Sequence, residues 1–399
     1  MKLSFLFSFI ILLVCSSCKT QPQLETDVSQ KKILPGIHRI DTILAEAKNK
    51  PVAVVSNHTG LINGIHLVDT LLSLGVDVRK VFAPEHGFRG NKSDGAQIDD
   101  SKDEKTGLPI LSLYGADKKP SQANLADVEL IIFDIQDVGA RFYTYLSTLH
   151  YVMEAAAEMG ISVIVLDRPN PNGFYIDGPV MKNCCTSFVG LHPVPIVYGM
   201  SIGEYALMIN GEGWMKDGVA CDLKVIPCIN YSHSSLYQLP VKPSPNLPDM
   251  KSIYLYPSLC LFEGTIVSVG RGTDQPFQII GEPSNKKGKY SFVPSSISGA
   301  SVNPKHKGDT CMGYDLSNTV DITNPPSNLN FTWLLRMYEE SADRENFFNK
   351  NGYFENLAGT KQLREQILAE KTLDEIKASW IDDLANFKEV RKKYLIYPK

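Results

Sequence analysis

Cysteine is scarce in this chain: eight in 399 residues, with Cys15 and Cys18 in the first apolar stretch and the other six (184, 185, 221, 228, 260 and 311) in no CxxC spacing. That excludes a dense disulfide scaffold and a zinc ribbon. Cys221 and Cys228 stay open between a pair in an oxidising compartment and two buried free thiols. Positive charge is also short. Lys plus Arg number 40 against 44 Asp plus Glu, for a formal net charge of -4. No basic stripe is present, which excludes a nucleic-acid partner, because neutralising phosphates takes clustered cations. Lys286-Lys287-Gly288-Lys289 reads as a solvated turn. Glycine-rich phosphate loops are missing too: Thr59-Gly60-Leu61-Ile62-Asn63-Gly64 lacks the G-x-G-x-x-G spacing, and nothing resembles a Walker loop. His58, His86, Asp134 and Asp137 are the residues open to a hard metal, but no i, i+4 His pair supports zinc. No metal or other cofactor is expected.

The longest early apolar run, Leu3 to Val14, follows Lys2 and falls short of the roughly 20 residues that span a bilayer. It therefore reads as an export signal. Ser16-Ser17-Cys18 closes it with small residues ahead of a cysteine, as at a bacterial lipoprotein cleavage site, although Cys15 stands where Leu is usual. The expectation is a signal over 1–18 acylated at Cys18, then a polar tether over 19–32. The only membrane contact expected is that lipid anchor, with the protein exported to the periplasm or cell surface.

What is present is regular alternation. Pro51 to Val55, Val78 to Ala83, Leu108 to Leu113, Leu130 to Ile135 and Ser162 to Leu166 are short apolar runs, with helical spacing over Ile65 to Leu74 and Thr144 to Met159. Near-continuous apolar strands between helices predict a Rossmann-like α/β domain with a parallel sheet covered on both faces, over 33–185. After about Asn183, Pro and Gly become frequent and the alternation fades. Residues 186–399 are expected to form a smaller α+β domain, its last part from Asn330 to Tyr397 largely helical.

The polar residues gather just past the carboxyl ends of the apolar runs, the edge where open parallel sheets bind ligands. Pro84-Glu85-His86-Gly87 places a carboxyl there; desolvated in a cleft, it would hold its proton to higher pH. Asp134 and Asp137 bracket another strand end, with Arg141, Tyr143 and Tyr145 just beyond. Asp167-Arg168-Pro169-Asn170-Pro171 ends a third, stiffened by its prolines. Later, Leu261-Phe262-Glu263-Gly264-Thr265 and Gly270-Arg271-Gly272-Thr273-Asp274 flank an apolar strand. Each of these residues is open equally to a surface or loop-fixing role. Gly199-Met200-Ser201-Ile202-Gly203 fits the nucleophile elbow G-x-S-x-G, but Ser201 with Glu204 also forms a capping box, and the cap accounts for every residue.

Together these strings carry a resemblance. Val54-Val55-Ser56-Asn57-His58-Thr59-Gly60, Pro84 to Gly87, Phe133 to Tyr145, Asp167 to Pro171, Leu259 to Thr265 and Gly270 to Thr273 occur in order. The chain from Gly36 to Pro398 resembles the exo-acting β-N-acetylmuramidase (NamZ-type) family of peptidoglycan-processing glycoside hydrolases, formerly a domain of unknown function. Ser201 stands where Thr is expected. The resemblance implies release of β-1,4-linked N-acetylmuramic acid from non-reducing ends of peptidoglycan fragments, in a cleft between a Rossmann-like and a smaller domain. It makes Glu85 the leading general acid, beside His86, with Glu263, Asp134 or Asp137 as the second group. Arg141, Arg168 and Arg271 are candidates for the lactyl carboxylate, and Tyr143 and Tyr145 for the sugar faces. Asn57, His58, Asp167, Asn170 and Thr273 complete the expected binding set. The competing readings are a metal-dependent or serine hydrolase of another ester or amide, and a non-catalytic lipoprotein that binds wall sugars.

Overall fold

Five of the apolar runs form strands of one sheet. In the computed structural model, which describes residues 31–85, 87–89, 100–115 and 117–399, the strands are β1 (Val52–Ser56), β2 (Val78–Ala83), β3 (Ser101–Lys102), β4 (Pro109–Ser112), β5 (Leu130–Asp134), β6 (Ser162–Leu166) and β7 (Leu223–Ile226). Their order across the sheet is β3-β4-β2-β1-β5-β6-β7. Every neighbouring pair is parallel except β3 with β4. The chain winds outward from β1 through β2 to β4, then returns to the other side of β1 at β5. That reversal between β1 and β5 opens a crevice at the strands' carboxyl ends.

The runs are continuous in apolar residues because successive side chains face opposite sides and both sides are covered. Ala53, Val55, Ile131, Phe133, Val163 and Val165 enter one core with helices α3 (Gln122–Leu125), α4 (Tyr145–Met159) and α5 (Ile202–Gly211). Val52, Val54, Leu130, Ile132, Ile164 and Leu166 enter the other, with α1 (Ile40–Ala47) and α2 (Leu67–Ser73). Phe133 is fully buried, so Phe133→Ala would cost about 3–5 kcal/mol through lost burial and the cavity left behind. Helix α4 stops at Gly160, whose φ of 66° is the left-handed cap that glycine adopts without steric cost.

The sheet reaches further along the chain than residue 185, where the sequence reading ends its domain. Strand β7 lies at Leu223–Ile226, and its short run, Leu223-Lys224-Val225-Ile226, is too weakly patterned to be read as a strand from sequence. Leu255 lies in helix α6 (Met250–Leu259), which runs on into a 3-10 turn at Cys260–Gly264. The expected strand between Thr265 and Gly270 makes only isolated bridges, Thr265 to Phe348 and Ser268 to Gly281. Beyond it stand a three-stranded antiparallel sheet of β8 (Ile279–Glu282), β9 (Tyr290–Phe292) and β10 (Cys311–Asp315), and the helices of the expected helical tail, from Thr332 to Lys392. Residues 33–399 are one compact unit. No helix among the described residues is long and apolar enough to cross a membrane.

Candidate active site

A hollow of about 580 Å³ lies at the carboxyl edge of the sheet, lined by Glu85, Tyr114, Lys118, Tyr143 and Thr144 from the strand ends and by Glu263, Arg271, Phe277 and Tyr353 from later in the chain. Its volume suits one or two sugar rings. Glu85 follows β2 directly, so the strand end sets its backbone. The Thr144 hydroxyl, one residue ahead of α4, donates to Glu85 Oε2 at 2.9 Å and holds the carboxyl's direction.

The turn at Cys260–Gly264 contributes Cys260 and Glu263 to the lining. Arg271 Nε donates to Glu263 Oε1 at 2.5 Å, while the Arg271 guanidinium lies 5.1 Å from the Phe277 ring centroid. Below the turn, the Lys305 ammonium donates to the carbonyls of Phe262 at 3.2 Å, Thr265, and Val267 at 3.1 Å. Burial lowers the Lys305 pKa to about 8, with nearby Glu263 pulling the other way. Lys305 thus ties down the backbone that presents Glu263, and Asn349 Nδ2 adds a bond to the Glu263 carbonyl at 3.2 Å.

Several of the expected site residues are absent from the hollow's lining and are buried in polar clusters. Arg168 grips Asp134 with Nε and Nη2 at 2.6 and 2.9 Å, both side chains almost wholly excluded from water. Asp137 accepts from the Tyr198 hydroxyl and from Gly139 N at 2.7 Å; burial pushes its pKa up to about 6. Asp167 takes the Ser201 hydroxyl at 2.6 Å, the Tyr397 hydroxyl at 2.5 Å and the Gly203 and Arg168 amides, and burial raises it to about 6 as well. Arg141, 1% exposed, donates to the carbonyls of Pro179, Val194 and Leu357 at 2.8–3.0 Å. Asn170 Nδ2 donates to Met200 O at 2.7 Å, and its Oδ1 accepts from Asn172 N. A Cβ at Gly139 would sit 2.1 Å from Asn170 Oδ1, so only glycine lets these two loops touch.

Asn57 donates to the Tyr145 hydroxyl at 2.9 Å, which makes both residues a buried support behind Glu85 rather than part of the lining. The Tyr143 ring lines the hollow, but its hydroxyl is engaged with Pro243 O at 2.9 Å. His58 Nε2 donates to Lys242 O at 2.9 Å, and burial lowers the ring's pKa. Thr273 closes a turn by donating to Gly270 O at 2.7 Å. Ser201 makes the full capping box with Glu204 at the start of α5, and its hydroxyl goes to Asp167, so the cap reading holds. His86 and Cys18 lie outside the described residues. No cluster of three or more His, Cys, Asp and Glu among the described residues is arranged to hold a metal.

The sequence reading therefore assembles Glu85, Tyr143, Glu263 and Arg271 in one place. It misses Lys118, Phe188, Ser244, Asn246 and Tyr353, which also line the hollow. Tyr114 and Lys118 follow β4 at its carboxyl end, and the strand-end rule that singles out Glu85 applies to them equally. Phe188, Ser244 and Asn246 sit on irregular segments with no periodicity to read, and Tyr353 opens the short helix Tyr353–Ala358.

Two family models match the chain: the N-terminal part of exo-beta-N-acetylmuramidase NamZ over residues 52–251 and its C-terminal part over residues 254–397. The chain is 35% identical to the peptidoglycan beta-N-acetylmuramidase NamZ of Bacillus subtilis strain 168, over 99% of both chains. It is 46% identical to a DUF1343 family protein from Bacteroides fragilis of known crystal structure, with a TM-score of 0.85 over 92% of this chain and 99% of that one. A second DUF1343 protein from the same organism superposes with a TM-score of 0.78 at 27% identity, over 92% of this chain and 99% of that one.

Proposed function

The chain belongs to the exo-β-N-acetylmuramidase NamZ family and is a glycoside hydrolase of that kind, and we propose that the hollow between Glu85 and Glu263 is where it removes N-acetylmuramic acid from the non-reducing ends of peptidoglycan fragments. One observation carries the assignment of the site. Two carboxyl side chains from distant parts of the chain line one sugar-sized hollow, each directed by a hydrogen bond from a neighbour. Glycoside hydrolysis uses such a pair on either side of the scissile bond.

In this reading Glu85 is the general acid. Its proton passes to the departing glycosidic oxygen as the C1–O bond breaks, the positive charge that grows on the sugar ring is met by a carboxylate, and a water molecule supplies the oxygen of the new C1–OH bond and returns a proton to the carboxyl pair. Glu263 is that second group, because Asp134 and Asp137 are buried and committed to Arg168 and Tyr198. Arg271 and Lys305 serve by holding Glu263 and its turn in place. Tyr143, Tyr353 and Phe277 give the hollow apolar walls for sugar faces.

The chain's start supports a place for this activity. Lys2, Leu3 to Val14 and Ser16-Ser17-Cys18 fit export and acylation at Cys18, which would hold the enzyme at a membrane facing the wall. Cys18→Ser would then release it into the soluble fraction. The activity itself is tested with an aryl β-glycoside of N-acetylmuramic acid. The expected result is release of the aryl alcohol and free N-acetylmuramic acid, at a rate unchanged by a chelator. An enzyme that leaves this glycoside intact but cleaves aryl esters would overturn the reading.

A further inference from the structure

The hollow has a cation that the assigned machinery does not use. N-acetylmuramic acid carries a lactyl carboxylate, and the obvious arginines are all engaged elsewhere. Arg141 is spent on three backbone carbonyls, Arg168 on Asp134, and Arg271 on Glu263. Lys118 lines the same hollow as Glu85 and is half-buried. Its ammonium lies 4.8 Å from the centroid of the Phe188 ring, and among the described residues it pairs with no carboxylate. The next residue shows the contrast: Lys119 is held by Glu154 and Glu158, each at 2.7 Å.

A ring face positions an ammonium without neutralising it. The platform is itself fixed, since Phe188 stacks parallel to Tyr151 with centroids 6.3 Å apart and meets Tyr114 at the same distance. The result is a preset positive charge at the hollow's wall, paired with no carboxylate among the described residues and carrying three donors on a flexible stem.

Resting on the muramidase reading, we propose that Lys118, seated on Phe188, is the specificity residue that recognises the lactyl carboxylate of the substrate's terminal sugar. Lys118 binds and selects; it takes no part in breaking the glycosidic bond. The contact acts mainly on KM, because the carboxylate keeps its charge throughout the reaction.

The experiment compares two aryl β-glycosides of N-acetylmuramic acid, one with a free lactyl carboxylate and one with the carboxylate converted to its methyl amide. Wild-type enzyme is expected to prefer the free acid in kcat/KM by roughly tenfold to a hundredfold, the range of one charge-assisted hydrogen bond, and to lose that preference as ionic strength rises. Lys118→Met is expected to bring the ratio close to one, chiefly by raising KM for the acid, and Lys118→Arg to restore most of it. Because the result is a ratio within each variant, a general loss of folding or catalysis does not mimic it. A Lys118→Met enzyme that keeps the wild-type ratio overturns the proposal and leaves the muramidase reading standing. A wild-type enzyme that cleaves neither glycoside overturns both.

Discussion

The Thr144 hydroxyl reaches Glu85 Oε2 at 2.9 Å across 59 residues of sequence, joining the end of β2 to the start of α4. The bond fixes the carboxyl of a strand-end residue against a helix that is itself packed on the sheet. Glu85→Gln keeps the shape and the Thr144 bond but cannot deliver a proton. It is expected to lower kcat by about a hundredfold to ten-thousandfold with the melting temperature preserved. Thr144→Val is expected to cost about tenfold in kcat, the scale of one hydrogen bond to a charged or ionisable group. Rates in Glu85→Gln within a few-fold of wild type would remove Glu85 from the mechanism.

Lys305 makes a different demand. Its three bonds to the carbonyls of Phe262, Thr265 and Val267 close the turn that presents Glu263. Lys305→Met retains most of the volume and strands those acceptors, which is expected to cost about 1–3 kcal/mol of stability. It should also lower kcat well before it affects folding at 25 °C. Denaturant titration alongside steady-state kinetics separates the two; a variant with unchanged stability would mean the carbonyls find water instead.

Ser201 tests the helix-cap reading. The residue is fully buried, caps α5 through Glu204 N, and donates to Asp167. Ser201→Ala is therefore expected to lose about 1–3 kcal/mol of stability, from the missing cap and the unanswered acceptor, while keeping kcat at moderate temperature. A total loss of turnover in folded Ser201→Ala protein would revive the esterase alternative.

Asp137 supplies a pH dependence. Burial raises its folded pKa to about 6 from an unfolded value of 3.8. The folded state therefore binds the proton more tightly. Its contribution to stability is complete below pH 3.8 and is lost as pH rises through about 6. The full difference is on the order of 3 kcal/mol, from about 1.4 kcal/mol per pKa unit. Asp137→Asn removes this slope. Relative to wild type, its urea midpoint is expected to improve between pH 4 and pH 7; a parallel pair of curves would show that Asp137 does not titrate in that window.

Much of the layout was legible because physics wrote it locally. A strand buried on both faces must be apolar along most of its length, so Val52–Ser56, Leu130–Asp134 and Ser162–Leu166, and Val78–Ala83 after its charged Arg79-Lys80, stand out from their neighbours, and the strand-end rule then points at Glu85 and Tyr143. Strand β7, with Lys224 on an edge strand, needs no such purity and passed unseen.

By itself the sequence determined the sheet, the edge that carries the chemistry, the family and the cap at Ser201. Only the tertiary structure decided which strand-end residues face the hollow. Glu85, Asp134, Asp137, Arg141, Asp167 and Arg168 look alike as polar residues past apolar runs, yet a buried charge takes its role from whichever partner neutralises it. Those partners are far away in the chain: Arg168 for Asp134 lies 34 residues on, and the Leu357 carbonyl for Arg141 lies 216 residues on. Glu85 and Lys118 line the hollow, and that is set by folding, not by spacing.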